Sequence, residues 1–298
     1  MKIKYWIQAA RLRTLPLAFS CILLSSSLVF ITKRAFSFKI LFLTLTTTLL
    51  LQILSNFAND YGDAMKDADK NRKGEQRMVQ SGKITKYQMK LAILSLSIIT
   101  FIIGLLLILV VFQSNFLKIF IFLIIGISSI IAAIKYTIGD SAYGYKALGD
   151  LSVFIFFGII GVMGSYYLFT SSFHWLTIPG ALFTGLISCG VLNLNNLRDY
   201  ESDQLANKIT LVGKLGIKNA KKYHLLLLLS SIVSFVIIVI YSNHLVYYLS
   251  LIPISLIIRH IYIFKKETTT EWLDSQLKVL ALSCFFTCLI SFIIGIII

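Results

Sequence analysis

The strongest constraint on this chain is the recurrence, along its whole length, of apolar runs of about 20 residues, the length an α-helix needs to cross ~30 Å of hydrocarbon. Such runs lie at about 15–32, 39–58, 88–112, 118–135, 150–170, 177–197, 223–241, 245–264 and 277–298. Hydrocarbon offers no partner to a backbone N–H or C=O, so each run must pair its own backbone as a helix. Only 14% of the 298 residues are charged, where a soluble domain carries roughly 25%. The pattern predicts an all-α polytopic membrane protein with about nine transmembrane helices around a central cavity, residues 1–298 forming a single domain. No small-residue cleavage site follows the first run, which therefore reads as a retained span rather than a signal peptide.

A net charge of +15 would suit nucleic acid, but its distribution argues otherwise. With the N-terminus cytoplasmic, 24 of the 28 Lys and Arg fall on the inside and only Lys33, Arg34, Lys39 and Lys118 on the outside. That is the positive-inside signature, and it makes the charge excess topogenic. All 13 Asp and Glu share the inside face. The expected setting is the cell (inner) membrane, with a lipid bilayer and no nucleic acid as partner and with the active-site loops on the cytoplasmic face. Cys21, Cys189, Cys284 and Cys288 lie within spans and read as small packing residues. The four histidines, His174, His224, His244 and His260, lack metal-ligand spacing.

One polar stretch breaks this apolar background. The second span ends in Asn56-Phe-Ala-Asn59-Asp60-Tyr-Gly-Asp63-Ala-Met-Lys-Asp67-Ala-Asp69. Asn56, Asn59, Asp60, Asp63 and Asp67 share one helical face, which predicts convergent oxygens. Four carboxylates so close together would repel one another without a cation between them, and acids at a membrane helix end are functional by default. The loop that follows carries Lys66, Lys70, Arg72, Lys73, Arg77, Lys83 and Lys86. Most of these lysines suit a solvated loop, whereas the forks of Arg72 and Arg77 match phosphate oxygens.

The sixth span ends in a similar way, with Asn193-Leu-Asn195-Asn196-Leu-Arg198-Asp199-Tyr-Glu-Ser-Asp203 and a basic run from Lys208 onward. Asn195, Asn196, Asp199 and Asp203 share a face. Both halves therefore run apolar span, Asn-rich helix end, aspartates, then a basic loop containing Gly-Lys (Gly82-Lys83 and Gly213-Lys214). This suggests an internal repeat with two acid-bearing helix ends facing a shared site. Near the N-terminus, Arg11 and Arg13 precede Pro16, either as a positive-inside anchor or with one arginine turned toward an anionic substrate. Between the halves, the 135–150 loop is rich in Gly and Tyr (Tyr136, Tyr143, Tyr145), which suits an ordered lid; interfacial tyrosines are the plainer reading. Gly158, Gly161 and Gly164 permit close helix approach. The last three spans, with the connector bearing Lys265, Lys266, Glu267, Glu271 and Asp274, read as scaffold, cavity wall and solvated loop.

Paired Asp/Asn clusters interleaved with Arg and Lys meet the needs of a Mg2+–diphosphate site. Mg2+ prefers oxygen and is held by one or two carboxylates plus phosphate oxygens and water. Metal and cations together stabilise the charge that develops on a departing diphosphate.

These residues resemble a known family. Asn59-Asp60-x-x-Asp63 and Asp199-x-x-x-Asp203 look like the two aspartate-rich motifs of the UbiA-type intramembrane prenyltransferases. Ala10–Pro16, Asn56–Asp63, Val79–Gly82, Leu148–Gly158 and Asn195–Asp199 are most similar to the branch that prenylates 1,4-dihydroxy-2-naphthoate in menaquinone synthesis. The resemblance implies that a polyprenyl diphosphate ionises with Mg2+ help and that its allylic cation is attacked by the naphthoate ring, with loss of CO2, giving demethylmenaquinone. By the same resemblance, Asn59, Asp60, Asp63, Asn196, Asp199 and Asp203 would hold Mg2+ and diphosphate. Asp67 or Asp69 would be the distal ligand, since the usual Gly-x-Asp is Asp67-Ala-Asp69 here. Arg72, Arg77 and Lys208, with Arg13 and Asn195, would contact the substrate, and Tyr136 and Tyr143 would cap the site. Glu75-Gln76 and Asp140 stand where relatives place Gly-Pro and a proline.

Other classes fit less well. 4-Hydroxybenzoate is the alternative acceptor. A cation-coupled transporter would place its acids near the midplane, and a CDP-alcohol phosphotransferase would need a Gly and an Arg that the Asp60–Ala64 stretch lacks.

Overall fold

The computed structural model describes residues 2–66, 76–266 and 269–298. Among them, nine helical stretches are long and apolar enough to cross a bilayer: Ile3–Ile31, Phe38–Met65, Lys86–Phe112, Phe116–Lys135, Gly149–Thr170, Thr177–Arg198, Leu211–Ser242, Leu245–Phe264 and Thr270–Ile297. The apolar runs thus locate the spans well, while the helix ends extend beyond them because polar residues continue several helices past the hydrocarbon-length core. The chain divides into two compact units: Met1–Leu15, Phe42–Gly149 and Asp199–Lys214 form one, and Pro16–Leu41, Asp150–Arg198 and Leu215–Ile298 the other.

In the first unit, the Phe38–Met65 helix is the spine. Its Leu54, Phe57 and Ala64 bury against Ala9 and Ala10 of the N-terminal helix, Met78 and Val79 of the following loop, and Met89 and Ile93 of the next helix. The Lys86–Phe112 helix starts from a complete capping box, in which Thr85 accepts from the Gln88 amide and the Gln88 side chain from the Thr85 amide. A short turn ending in Asn115, whose side chain caps the Lys118 amide, leads into the Phe116–Lys135 helix. Leu94, Ile98, Phe101, Phe120 and Ile124 on this pair are exposed, as suits helices whose outer solvent is lipid.

In the second unit, small residues set the spacing. A Cβ on Gly158 would lie 2.6 Å from the Ala181 carbonyl, and one on Gly161 would lie 2.9 Å from the Cys21 side chain. The close approach expected of these glycines is therefore present, and Ala at either position would force the helices apart. Residues Ile155–Gly164 wind as a π-helix, which the hydrophobic pattern does not reveal because every position there is apolar or glycine. Gly216, at φ 71°, interrupts the long Leu211–Ser242 helix. The four cysteines are free and buried, as their settings predict.

Candidate active site

All four aspartates expected in the two motifs' shared positions (Asp60, Asp63, Asp199, Asp203) belong to the first unit and are buried. The end of the Phe38–Met65 helix presents one polar face, as its spacing predicts, but the side chains on that face turn to different protein partners. Asn56 Nδ2 donates to the Ala10 carbonyl at 2.8 Å and to Thr14 Oγ1 at 3.0 Å, tying the helix to the chain's beginning. Asn59 Oδ1 lies 3.2 Å from the Thr137 hydroxyl. Thr137 comes this near because Gly62 faces it: any Cβ there would sit 2.7 Å from the Thr137 side chain.

Asp60 and Asp63 differ sharply. Asp60 is 1% exposed, and its two oxygens accept from consecutive backbone amides, Met78 N–H at 3.0 Å and Val79 N–H at 3.1 Å. It clamps the turn that follows Arg77, a turn closed by Gly82 at φ 69°. Asp63 instead faces side chains. Arg77 Nη2 donates to its Oδ2 at 3.0 Å, with both partners nearly inaccessible, and the Tyr145 hydroxyl donates to its Oδ1 at 2.7 Å.

The second acid segment is built by a helix end. Asp199 follows the Thr177–Arg198 helix and starts a single helical turn, Tyr200–Leu205, in which the Asp203 amide donates to the Asp199 carbonyl at 2.8 Å. The chain then folds back so that the Lys208 amide reaches the Asp203 carbonyl at 2.8 Å and Lys208 Nζ pairs with Asp203 Oδ1 at 3.2 Å. Immediately beyond, Ile209 pairs with the Tyr-rich loop through a parallel bridge to Lys146 and a 2.8 Å bond from the Ala147 amide. The two acid segments and the loop between them in sequence are thus joined by backbone as well as side chains. Lys66 Nζ sits 4.0 Å from the Tyr145 ring centroid and Lys208 Nζ sits 5.8 Å from it. Partial burial pulls the Lys66 ammonium pKa below its usual value.

Other expected residues fall as follows. Arg77 and Lys208 both sit on motif carboxylates. Tyr136 and Tyr143 stack edge to face at 5.3 Å, and the Tyr143 hydroxyl donates to the Ala132 carbonyl at 2.8 Å, so the loop is ordered, as its composition suggests. Of the two N-terminal arginines, Arg13 is exposed, whereas Arg11 is half-buried, held at φ 48°, and close enough to Asp60 for their charges to interact. The N-terminal helix ends at Ala10, with Arg11 as its left-handed C-cap. Asn195 and Asn196 lie on the second unit's Thr177–Arg198 helix, where Asn195 Oδ1 accepts from Arg198 Nη2 at 2.8 Å. Asp67, Asp69 and Arg72 lie outside the described residues. Among the described residues, no three His, Cys, Asp or Glu side chains already converge as a metal cluster. Asp60, Asp63 and Asp203 are instead matched to amides, to Arg77 and Tyr145, and to Lys208 respectively.

Three features went unforeseen. Asp274, read as part of a solvated connector, pairs with buried Arg198. His224 and His260 share a 2.9 Å bond between their Nε2 atoms, continued by a 3.0 Å contact from His260 Nδ1 to Gln276 Oε1. Asp150 meets the Tyr223 hydroxyl at 3.2 Å. Each pair is separated by at least 36 residues apart from His260–Gln276, and no spacing rule connects them.

Fold and site together define a multi-pass helical membrane protein in which two carboxylate-bearing segments are threaded with arginine, lysine and tyrosine. The chain belongs to the UbiA prenyltransferase family, whose profile matches residues 18–290. An Escherichia coli protein named 1,4-dihydroxy-2-naphthoate octaprenyltransferase is 44% identical over 242 residues, covering 80% of this chain and 77% of that protein. A Haemophilus influenzae protein of the same name is 43% identical over 229 residues, covering 76% and 74%. Among solved structures, a UbiA homolog from Aeropyrum pernix K1 superposes with a TM-score of 0.68 at 16% identity, covering 95% of this chain and 98% of that one. A UbiA homolog from Archaeoglobus fulgidus bound to GPP and Mg2+ gives 0.62 at 13% identity, covering 96% and 99%.

Proposed function

We propose that this protein transfers a polyprenyl group from polyprenyl diphosphate to 1,4-dihydroxy-2-naphthoate, releasing diphosphate and CO2 and giving demethylmenaquinol, the reduced form of demethylmenaquinone. The observation that carries the proposal is the 43–44% identity, over three quarters of the chain, to proteins named for that acceptor. The site's chemistry supports the same reading. Its donors are all oxygens, and buried Arg77 on Asp63 with half-buried Lys208 on Asp203 mark a field that a hard divalent cation would suit. Asn59, Asp63, Asp199 and Asp203 would hold Mg2+, with Asp67 or Asp69 completing the set. In this reading Asp60, expected among these ligands, serves chiefly to hold the Met78–Val79 turn, since each of its oxygens accepts from an amide there. Bound there, Mg2+ would supply Lewis-acid stabilisation of the departing diphosphate.

The chain's own residues then have separable jobs. Arg77 and Arg72 present forks to phosphate oxygens, and Lys208 adds a point charge from the second acid segment. Tyr136 and Tyr143 offer aromatic faces to the electron-poor allylic carbon. That carbon loses its bond to the bridging oxygen, whose electrons stay on diphosphate, and bonds to the ring carbon bearing the carboxylate. The ring recovers its electrons as the carbon–carboxylate bond breaks and CO2 leaves. The protein sits in the inner membrane as one domain, with the N-terminus and both acid segments on the cytoplasmic side, in keeping with the distribution of Lys and Arg.

The test is an acceptor assay. Membranes containing the protein, supplied with Mg2+ and a polyprenyl diphosphate, should prenylate 1,4-dihydroxy-2-naphthoate and leave 4-hydroxybenzoate unchanged. The reverse preference would move the protein to the benzoate branch, and no Mg2+-dependent transfer to either would remove the proposal.

A further inference from the structure

Tyr145 stands apart from the other tyrosines of its loop. Its hydroxyl is spent on Asp63, at 2.7 Å, and its ring carries two ammonium groups, Lys66 at 4.0 Å and Lys208 at 5.8 Å. Lys208 in turn pairs with Asp203. One side chain therefore touches the first acid motif directly and the second through one intermediary. A ring already flanked by cations is also a poor choice for a carbocation, so the stabilising role expected of the loop's aromatic faces does not extend to Tyr145.

The plain alternative is that the Tyr145–Asp63 bond merely fastens the loop. The loop is already fastened by other means. The Gly144 amide donates to the Tyr136 carbonyl at 2.9 Å, and Tyr143 reaches Ala132. Ala147 and Lys146 bind Ile209. Gly144 is pressed so close that a Cβ would fall 2.6 Å from the Tyr136 carbonyl. The loop's path is thus held by backbone on both sides of residue 145, leaving the hydroxyl and ring to act on the charged groups they touch.

We propose that Tyr145 is a positioning residue that couples the two acid motifs: its hydroxyl sets the orientation of the Asp63 carboxylate toward the metal, and its ring stations Lys66 and Lys208 for the diphosphate. This rests on the Mg2+–diphosphate chemistry proposed above. A hydrogen bond to a charged group is worth enough that losing it should shift an equilibrium about tenfold.

The experiment measures Mg2+-dependent binding of inorganic pyrophosphate to the purified full-length chain by calorimetry, beside thermal unfolding of the same samples. Tyr145→Phe keeps the ring and should raise the half-saturating Mg2+ concentration about tenfold, with pyrophosphate affinity at saturating Mg2+ little changed. Tyr145→Leu removes the ring as well and should also weaken pyrophosphate binding at saturating Mg2+. Both variants should unfold at the wild-type temperature. An unchanged Mg2+ dependence in Tyr145→Phe, with the wild type binding normally, would overturn the coupling role alone. Equal loss in both variants, accompanied by a lowered unfolding temperature, would overturn it in favour of loop fastening. A wild type that binds no pyrophosphate at any Mg2+ concentration would instead overturn the diphosphate reading beneath it.

Discussion

The buried hydroxyls of the second unit and the buried carboxylates of the first solve the same problem, polar side chains inside an apolar protein, in different ways. In the second unit many buried hydroxyls and thiols return to their own helix: Ser20 to Pro16, Cys21 to Leu17, Ser26 to Ile22, Ser188 to Thr184 and Ser283 to Val279, each to the carbonyl four residues back. Such groups are satisfied as soon as the helix forms and make little demand on tertiary structure. In the first unit the buried carboxylates Asp60 and Asp63 take partners from loops 14 to 82 residues away, as Asp63 does with Arg77 and with Tyr145. Those partners exist only once the loops have closed over the helix end. On the proposed function the contrast separates scaffold from site: locally satisfied groups would hold a wall, whereas groups that need distant partners could exchange those partners for a ligand.

The largest effect that would test this contrast is at Asp63. Asp63→Ala leaves the Arg77 guanidinium buried without its carboxylate and Tyr145 without its acceptor, and removes a metal oxygen. Mg2+-dependent diphosphate release should fall on the order of a thousandfold while the protein remains in the membrane; turnover near wild type would end the assignment of this helix end as the site. A smaller effect is expected at Asp60. Asp60→Asn keeps one acceptor oxygen but turns an NH2 toward an amide N–H, costing about 1–3 kcal/mol. It should appear chiefly as a lowered unfolding temperature, with turnover reduced less than by Asp63→Ala. If the loss of turnover matched Asp63→Ala with unfolding unaltered, Asp60 would be a metal ligand after all. The smallest effect is set by the second unit. Ser26→Ala removes a bond to its own helix and should change stability by less than ~0.5 kcal/mol and turnover not at all. A clear defect there would break the distinction between wall and site.

Much of this contrast is legible in the amino acids alone. Length and hydropathy place the spans, and Asn/Asp spacing marks both acid segments because acids at the end of an apolar helix are too costly to be incidental. Periodicity also says correctly that Asn56, Asn59, Asp60 and Asp63 share a face. It does not say what approaches that face. Asp60 and Asp63 are equivalent by pattern, yet one grips two amides and the other an arginine and a tyrosine. Arg11 and Arg13 likewise read alike, yet Arg11 is half-buried in a left-handed conformation while Arg13 is exposed. Asp274 shows the same limit from the other side, since a carboxylate in a charged connector gives no sign that a buried arginine 76 residues away requires it.

What the sequence by itself determined is therefore the number and placement of the spans, the two acid segments and the family. These follow from rules that act over a few turns of chain: hydrocarbon thickness, backbone self-satisfaction and the cost of buried charge. What only the tertiary structure decided is which partner each acid meets, with Asp60 on the Met78 and Val79 amides, Asp63 on Arg77 and Tyr145, and the Tyr145 ring beside Lys208. The reason is that a charge-assisted hydrogen bond depends on ångström-scale approach between segments far apart in the chain, and no local pattern encodes that distance.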